Sequence, residues 1–106
     1  MPTLVIEEQA RAQEVEVTEE ELRVVLTDGR TIAVPLMWFP RLWHGSAEER
    51  QKWVLVGGGE GIHWPALDED IKVSHLLAGI PSRESQASLR RWLEQRHQRI
   101  EKAGKA

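Results

Sequence analysis

Gly57-Gly58-Gly59-Glu60-Gly61-Ile62-His63-Trp64-Pro65, continued by Ala66-Leu67-Asp68-Glu69-Asp70, is where this chain concentrates residues that could do chemistry. Four glycines suggest a phosphate cradle, and a histidine among four acids suggests a cation site or general acid–base work. The phosphate reading fails twice. A dinucleotide fingerprint needs three set glycines leading into a helix. Gly57 and Gly59 satisfy the first two positions, but Ile62 occupies the third and Pro65 forbids the helix. No Gly-Lys-Ser/Thr follows, so the Walker pattern fails as well. The glycines read as a bulged strand connection that uses positive φ.

A cation site would pair His63 with Glu60, Asp68 or Asp70, joined by His44 or His75. The four histidines are separated by 19, 12 and 22 residues and form no i,i+4 pair on a helix. A histidine hydrogen-bonded to the backbone or to one of the acids is the simpler reading. No serine sits in a glycine-flanked elbow, and Ser46, Ser74 and Ser82 read as helix starts or turns. No catalytic constellation is seen, no cofactor or metal is implied, and the chain is not expected to be an enzyme.

Two further groups could bind macromolecules. Trp38, Trp43, Trp53 and Trp64 fall within 27 residues of a chain with five tryptophans, one phenylalanine and no tyrosine. Such a set reads as aromatic core. With Arg41 among them it also has the composition of an interface, where Trp and Arg dominate. The second group is basic. Residues 1–70 carry a balance of −8 and residues 71–106 one of +5, within a net charge of −3. Arg90, Arg91, Arg99 and Lys102 are the candidate nucleic-acid contacts of that tail. The basic residues spread around the helical wheel, which is poor geometry for reading a groove.

These residues must be positioned by one domain, since 106 residues is near the commonest domain size. The absence of cysteine excludes disulfides and thiolate chemistry. No apolar run approaches the ~18 residues of a membrane span, and the N-terminus lacks a basic start. A soluble cytoplasmic protein without a membrane partner is the expectation.

Val15 and Val17, then Leu22, Val24 and Leu26, then Ile32 and Val34 alternate as strands. Parity chooses the loops. A three-residue Thr27-Asp28-Gly29 loop sets Val24 opposite Ile32 and Leu22 opposite Val34, whereas a two-residue loop would split the apolar set across both faces. The turn at 18–21 sets Val17 opposite Leu22 and Val15 opposite Val24. Pro40 suits the first turn of a short helix. Ser46 and Glu49 form a capping box for another, ending near Lys52. Trp53-Val54-Leu55-Val56 reads as a buried strand, and Ile62-His63-Trp64 as a further short one before an acidic turn. Ser74 reads as the cap of a helical turn stopped by Gly79. The last helix should span about 83–102, with Leu89, Trp92, Leu93 and Ile100 as its apolar stripe.

The expected architecture is α+β: a three-stranded antiparallel meander plus short extra strands, short helices and a long C-terminal helix. Residues 1–14 form an N-terminal extension or edge strand, 15–80 the compact domain, and 81–106 a basic helix that packs on the domain or on a second copy.

Asp28-Gly29-Arg30-Thr31-Ile32, Val34-Pro35-Leu36, Pro40-Arg41-Leu42, Glu49-Arg50, Gly61-Ile62-His63-Trp64-Pro65, Leu67-Asp68-Glu69-Asp70-Ile71 and Leu76-Leu77-Ala78-Gly79 form a joint pattern. In these motifs, over about residues 15–93, the chain resembles the domain of unknown function 2442 of small bacterial and phage proteins. The resemblance implies a compact α+β domain and a bacterial source, with no established activity and no family active site. Some relatives add a C-terminal helix-turn-helix, for which the 25 residues after Pro81 leave no room. Others resemble toxin–antitoxin partners, encoded beside another small protein.

The expected function is therefore a non-enzymatic, antitoxin-like accessory module. Its partner would be a protein encoded next door, met through Trp38, Arg41, Trp43, His63 and Trp64. One alternative is a nucleic-acid-associated regulator using the basic helix. The other is a metal- or ligand-binder around His63 and Asp68 or Asp70.

Overall fold

The computed structural model describes residues 10–105. Among them the strands form two three-stranded antiparallel sheets, each in sequential order. The first contains β1 (Ala12–Val17), β2 (Glu21–Leu26) and β3 (Thr31–Pro35). Its register is the one that parity selects: Val17 faces Leu22, Val15 faces Val24, Val24 faces Ile32 and Leu22 faces Val34. The hairpin closes with Leu26 N–H donating to Arg30 O at 2.8 Å, and Gly29 takes φ 96° inside the three-residue loop. Thr18 organises the other turn by accepting from Glu21 N–H at 3.0 Å.

β1 starts at Ala12, three residues before the expected domain boundary. Ala12 and Val15 are both buried although three apart, which strict alternation forbids. A bulge between Ala12 and Glu14 absorbs the extra residue. The segment 1–9, where Leu4-Val5-Ile6 lies, is outside the described residues.

A 3-10 turn at Leu36–Trp38 leads into α1 (Pro40–Trp43) and α2 (Ala47–Arg50). The capping box of α2 is present: Glu49 N–H donates to Ser46 Oγ at 3.1 Å, and Ser46 N–H donates to Glu49 Oε1 at 2.8 Å. The second sheet follows as β4 (Val54–Val56), β5 (Gly61–Trp64) and β6 (Glu69–Lys72). The β5–β6 turn is Pro65–Asp68, so Glu69 and Asp70 lie in a strand and not in an acidic turn.

The Gly57–Gly59 segment is a 3-10 turn in which all three glycines take positive φ. Gly57 O accepts from Arg11 Nη1 at 2.9 Å, and Gly59 is buried against the Ala12 backbone. The glycines thus let the turn between β4 and β5 touch the start of β1, which joins the two sheets.

α3 (Val73–Leu77) has Lys72 at its N-cap without a side-chain bond, so Ser74 is not the cap. α4 (Gln86–Lys105) begins three residues later than expected, after Ser85, whose Oγ accepts from Ser88 N–H at 3.0 Å. One apolar cluster takes residues from both sheets and from the helices, with Leu22, Val24, Leu26, Leu36, Leu42, Ile62, Trp64, Leu67 and Val73 fully buried. No described helix is long and apolar enough to cross a membrane.

Candidate functional site

Arg41, expected on the contact surface, is engaged within the fold. Its side chain is 16 % exposed, and Nε donates to Glu84 Oε1 at 3.0 Å while Nη1 donates to Asp68 O at 2.9 Å. Its guanidinium also stacks 5.1 Å from the Trp92 ring centroid. Arg96 lies 5.4 Å from the same ring and pairs with Glu49, one bond being 2.8 Å. Trp92, buried, therefore lies within cation–π reach of two guanidiniums, each paired with a carboxylate. Arg41 holds the Glu84 carboxyl below its ordinary range, and Arg96 holds that of Glu49 down to about 2. The fastening of α4 thus uses Arg96 of the basic tail. Arg90, Arg91 and Arg99 are exposed, while Lys102 lies beyond the described side chains. At about 100° per residue, Arg91 and Arg99 sit about 100° and 180° from Arg90, so they share no face.

Glu69 stands beside this cluster. Burial pushes its carboxyl up to about 7, with the charges of Glu84 and Asp70 adding to the rise and Arg41 opposing it. A carboxyl whose folded pKa exceeds its unfolded value of about 4.3 stabilises the fold below that value and loses the contribution as pH rises through 7. Glu69→Gln should leave thermal stability unchanged at pH 4 and raise it at pH 8 by about 1–2 kcal/mol, measured by circular-dichroism melts across that range.

The register of the second sheet sorts its side chains. Ile62 and Trp64 of β5 face the core, and Trp64 is fully buried with its indole N–H donating to Arg50 O at 3.0 Å. Trp64 is thus core, not contact surface. His63 faces outward, with Nδ1 2.7 Å from Asp70 Oδ1 across the β5–β6 pair. Asp68 is drawn instead to Arg41, so the residues of the expected cation site are split. Among the described residues no three His, Asp or Glu side chains gather as a cation site. Trp38 is half-buried against the core, and Trp43 is 47 % exposed.

What the sequence reading missed is β4. Val54, Leu55 and Val56 are 46, 36 and 44 % exposed, so this is not a buried strand. Among the described strands it pairs with β5 alone and forms one edge of its sheet. By register Val54 and Val56 share the outer face with His63 and Gly61, while Leu55 shares the inner face with Ile62. A groove of about 580 Å³ runs beside the strand end, lined by Val56, Gly61, Ile71, Val73 and Leu77.

The other edges are protected in the ways that prevent edge pairing. β1 carries Glu14, Glu16 and a bulge, β3 ends in Pro35, and β6 carries Glu69, Asp70 and Lys72. β4 has no charge, no proline and no bulge.

The family model described as protein of unknown function (DUF2442) matches residues 12–82. The chain belongs to the DUF2442 family. The matched segment starts with β1 and ends just before Arg83, so α4 lies outside it. Two solved structures are similar in fold to this chain. One is a crystal structure of a protein of unknown function from Rhodospirillum rubrum, 28 % identical, with a TM-score of 0.62 over 74 % of this chain and 95 % of that one. The other is a solution structure of an uncharacterised protein from Chromobacterium violaceum, 17 % identical, with a TM-score of 0.63 over 76 % of this chain and 75 % of that one. The second likeness concerns the fold alone. No curated protein matches the chain.

Proposed function

We propose that this DUF2442 chain is a non-enzymatic protein-interaction module, an antitoxin-like accessory protein that acts by holding a protein partner. The observation that carries this reading is β4, an edge strand of three exposed apolar residues beside three protected edges. An unpaired edge offers a row of N–H and C=O groups, and a partner strand that adds to it gains main-chain hydrogen bonds together with apolar contacts. Trp43, 47 % exposed, adds an aromatic side chain of the kind that anchors interfaces. Of the residues expected to form the surface, this reading uses Trp43, the outward-facing His63 and the exposed part of Trp38. The nucleic-acid reading ranks below this one, since Arg96 is committed to Glu49 and the remaining arginines diverge.

The test is co-expression with the product of the neighbouring gene, followed by calorimetry. Binding should weaken at least about tenfold in Val54→Lys, since a charge on an edge strand opposes pairing. Equal affinity of both forms, with the fold intact by circular dichroism, would remove β4 from the interface.

A further inference from the structure

We infer that Glu69 competes with Glu84 for Arg41, and that rising pH lets it win, lifting the link between α3 and α4 and loosening the first turn of α4. The device sits at the junction of the family domain with α4 and stands apart from the reading of β4.

The junction holds one guanidinium and a surplus of carboxylates. Arg41 of α1 donates from Nε to Glu84 Oε1 at 3.0 Å and from Nη1 to Asp68 O at 2.9 Å. Glu84 Oε2 also accepts from Ser88 Oγ at 2.8 Å, so the Arg41 bond ties down the first turn of α4. Glu69 lines the same cavity of about 380 Å³, together with Arg41, Asp68, Asp70, Ser82 and Glu84. Among the described residues no cation pairs with Glu69, whose Oε1 accepts from Asp70 N–H at 3.1 Å. The other charges facing it are Lys72 of β6, His75 of α3 and Arg83 of the link, around a second cavity that Glu69 also lines, and all three are exposed. Asp70 is drawn to His63 at 2.7 Å.

Lifting the link changes the surroundings of Glu69 in one direction. It removes the cover that Ser82 and Glu84 provide and takes the Glu84 charge away, while Arg41 stays on the domain and becomes free to pair with Glu69. Burial is the main reason that the Glu69 carboxyl is pushed up to about 7, Glu84 adds to the rise, and Arg41 opposes it. Each change on lifting therefore makes Glu69 easier to ionise. By linkage the lifted form gains as pH climbs from the ordinary glutamate value of about 4.3 to 7, and the bias is constant above that. The far attachment does not respond. Arg96 holds the Glu49 carboxyl down to about 2, so that pair stays ionised throughout, and Trp92 remains buried. The loosening is thus confined to the near end of α4.

Amide hydrogen exchange of the full chain, followed by NMR and corrected for the intrinsic rate at each pH, reads the opening. The amides of residues 89–91 should open at least about tenfold more at pH 7 than at pH 5 and level off by pH 8. At pH 7 they should open at least about tenfold more readily than those of Ile62 and Trp64 in β5, and respond little to dilute urea, since a lifted link exposes little surface. In Glu69→Gln the rise between pH 5 and pH 7 should vanish. In Glu84→Gln the Glu69 carboxyl, followed by carbon-13 NMR, should titrate lower than in wild type, because Arg41 turns to it. Exchange at residues 89–91 that ignores pH, or that keeps its rise in Glu69→Gln, would overturn the inference. So would exchange that matches Ile62 and Trp64 at every pH, since only unfolding of the whole domain would then expose Glu69. A Glu69 titration unmoved by Glu84→Gln would overturn the competition for Arg41 and the inference with it.

Discussion

Trp64→Ala should cost about 3–5 kcal/mol of folding stability, the range for removing a large aromatic side chain from a core. Trp64 is fully buried within the cluster that both sheets share, so the cavity would open where β5 meets the helices. Its indole N–H also satisfies Arg50 O at 3.0 Å. Total stability for a domain of this size is about 5–15 kcal/mol, so the variant should be at the edge of folding at room temperature. Trp64→Phe separates the two contributions. It keeps most of the volume and loses the hydrogen bond, and should cost about 1–3 kcal/mol from leaving the Arg50 carbonyl without its donor. Urea denaturation followed by far-ultraviolet circular dichroism reads both. A cost below about 1 kcal/mol for Trp64→Ala would contradict the packing described for this residue.

Gly59→Ala should cost about 2–5 kcal/mol, combining positive-φ strain with a backbone clash. Gly59 takes φ 102°, and a Cβ there would lie 2.5 Å from Ala12 O. The obstacle is main chain of β1, which can yield only if the contact between the β4–β5 turn and β1 opens. Gly29 is the control. Its φ is 96°, yet nothing lies within 4 Å of an added Cβ. Gly29→Ala should therefore cost only about 1 kcal/mol, from conformation alone. Equal costs at the two positions, measured by the same denaturation, would show that the Gly59 contact carries no energy.

Patterns confined to a few adjacent residues were legible in the sequence. The register of the meander follows from parity, because a slip by one residue would turn Val15, Val17, Leu22 and Val24 to solvent. The Ser46–Glu49 box follows from spacing alone. The misreadings have physical reasons. Gln13 is the extra residue of a bulge, which breaks the alternation that would have shown β1 starting at Ala12. Three apolar residues in a row look the same whether a sheet is covered on both faces or ends at that strand, so β4 read as buried. The His63–Asp70 pair depends on placing the β5–β6 turn at Pro65–Asp68, whereas the density of acids drew it to residues 68–70. Arg41 and Trp64 have the composition of an interface. Their true partners, Glu84 and the Arg50 carbonyl, lie 43 and 14 residues away, and local pattern says nothing about such distances.

The fastening of α4 bears on how the family domain can be extended. The DUF2442 match ends at residue 82, so Trp92 and Arg96 of α4 and Glu84, just before it, lie outside the matched segment, while Arg41 and Glu49 lie inside it. The two sides meet like plug and socket. Two cation–carboxylate contacts and one indole attach the appendage, and it contributes one of the fully or nearly buried core residues, Trp92. A different C-terminal segment could be grafted onto the same domain by supplying one carboxylate for Arg41 and one flat apolar ring to lie against it.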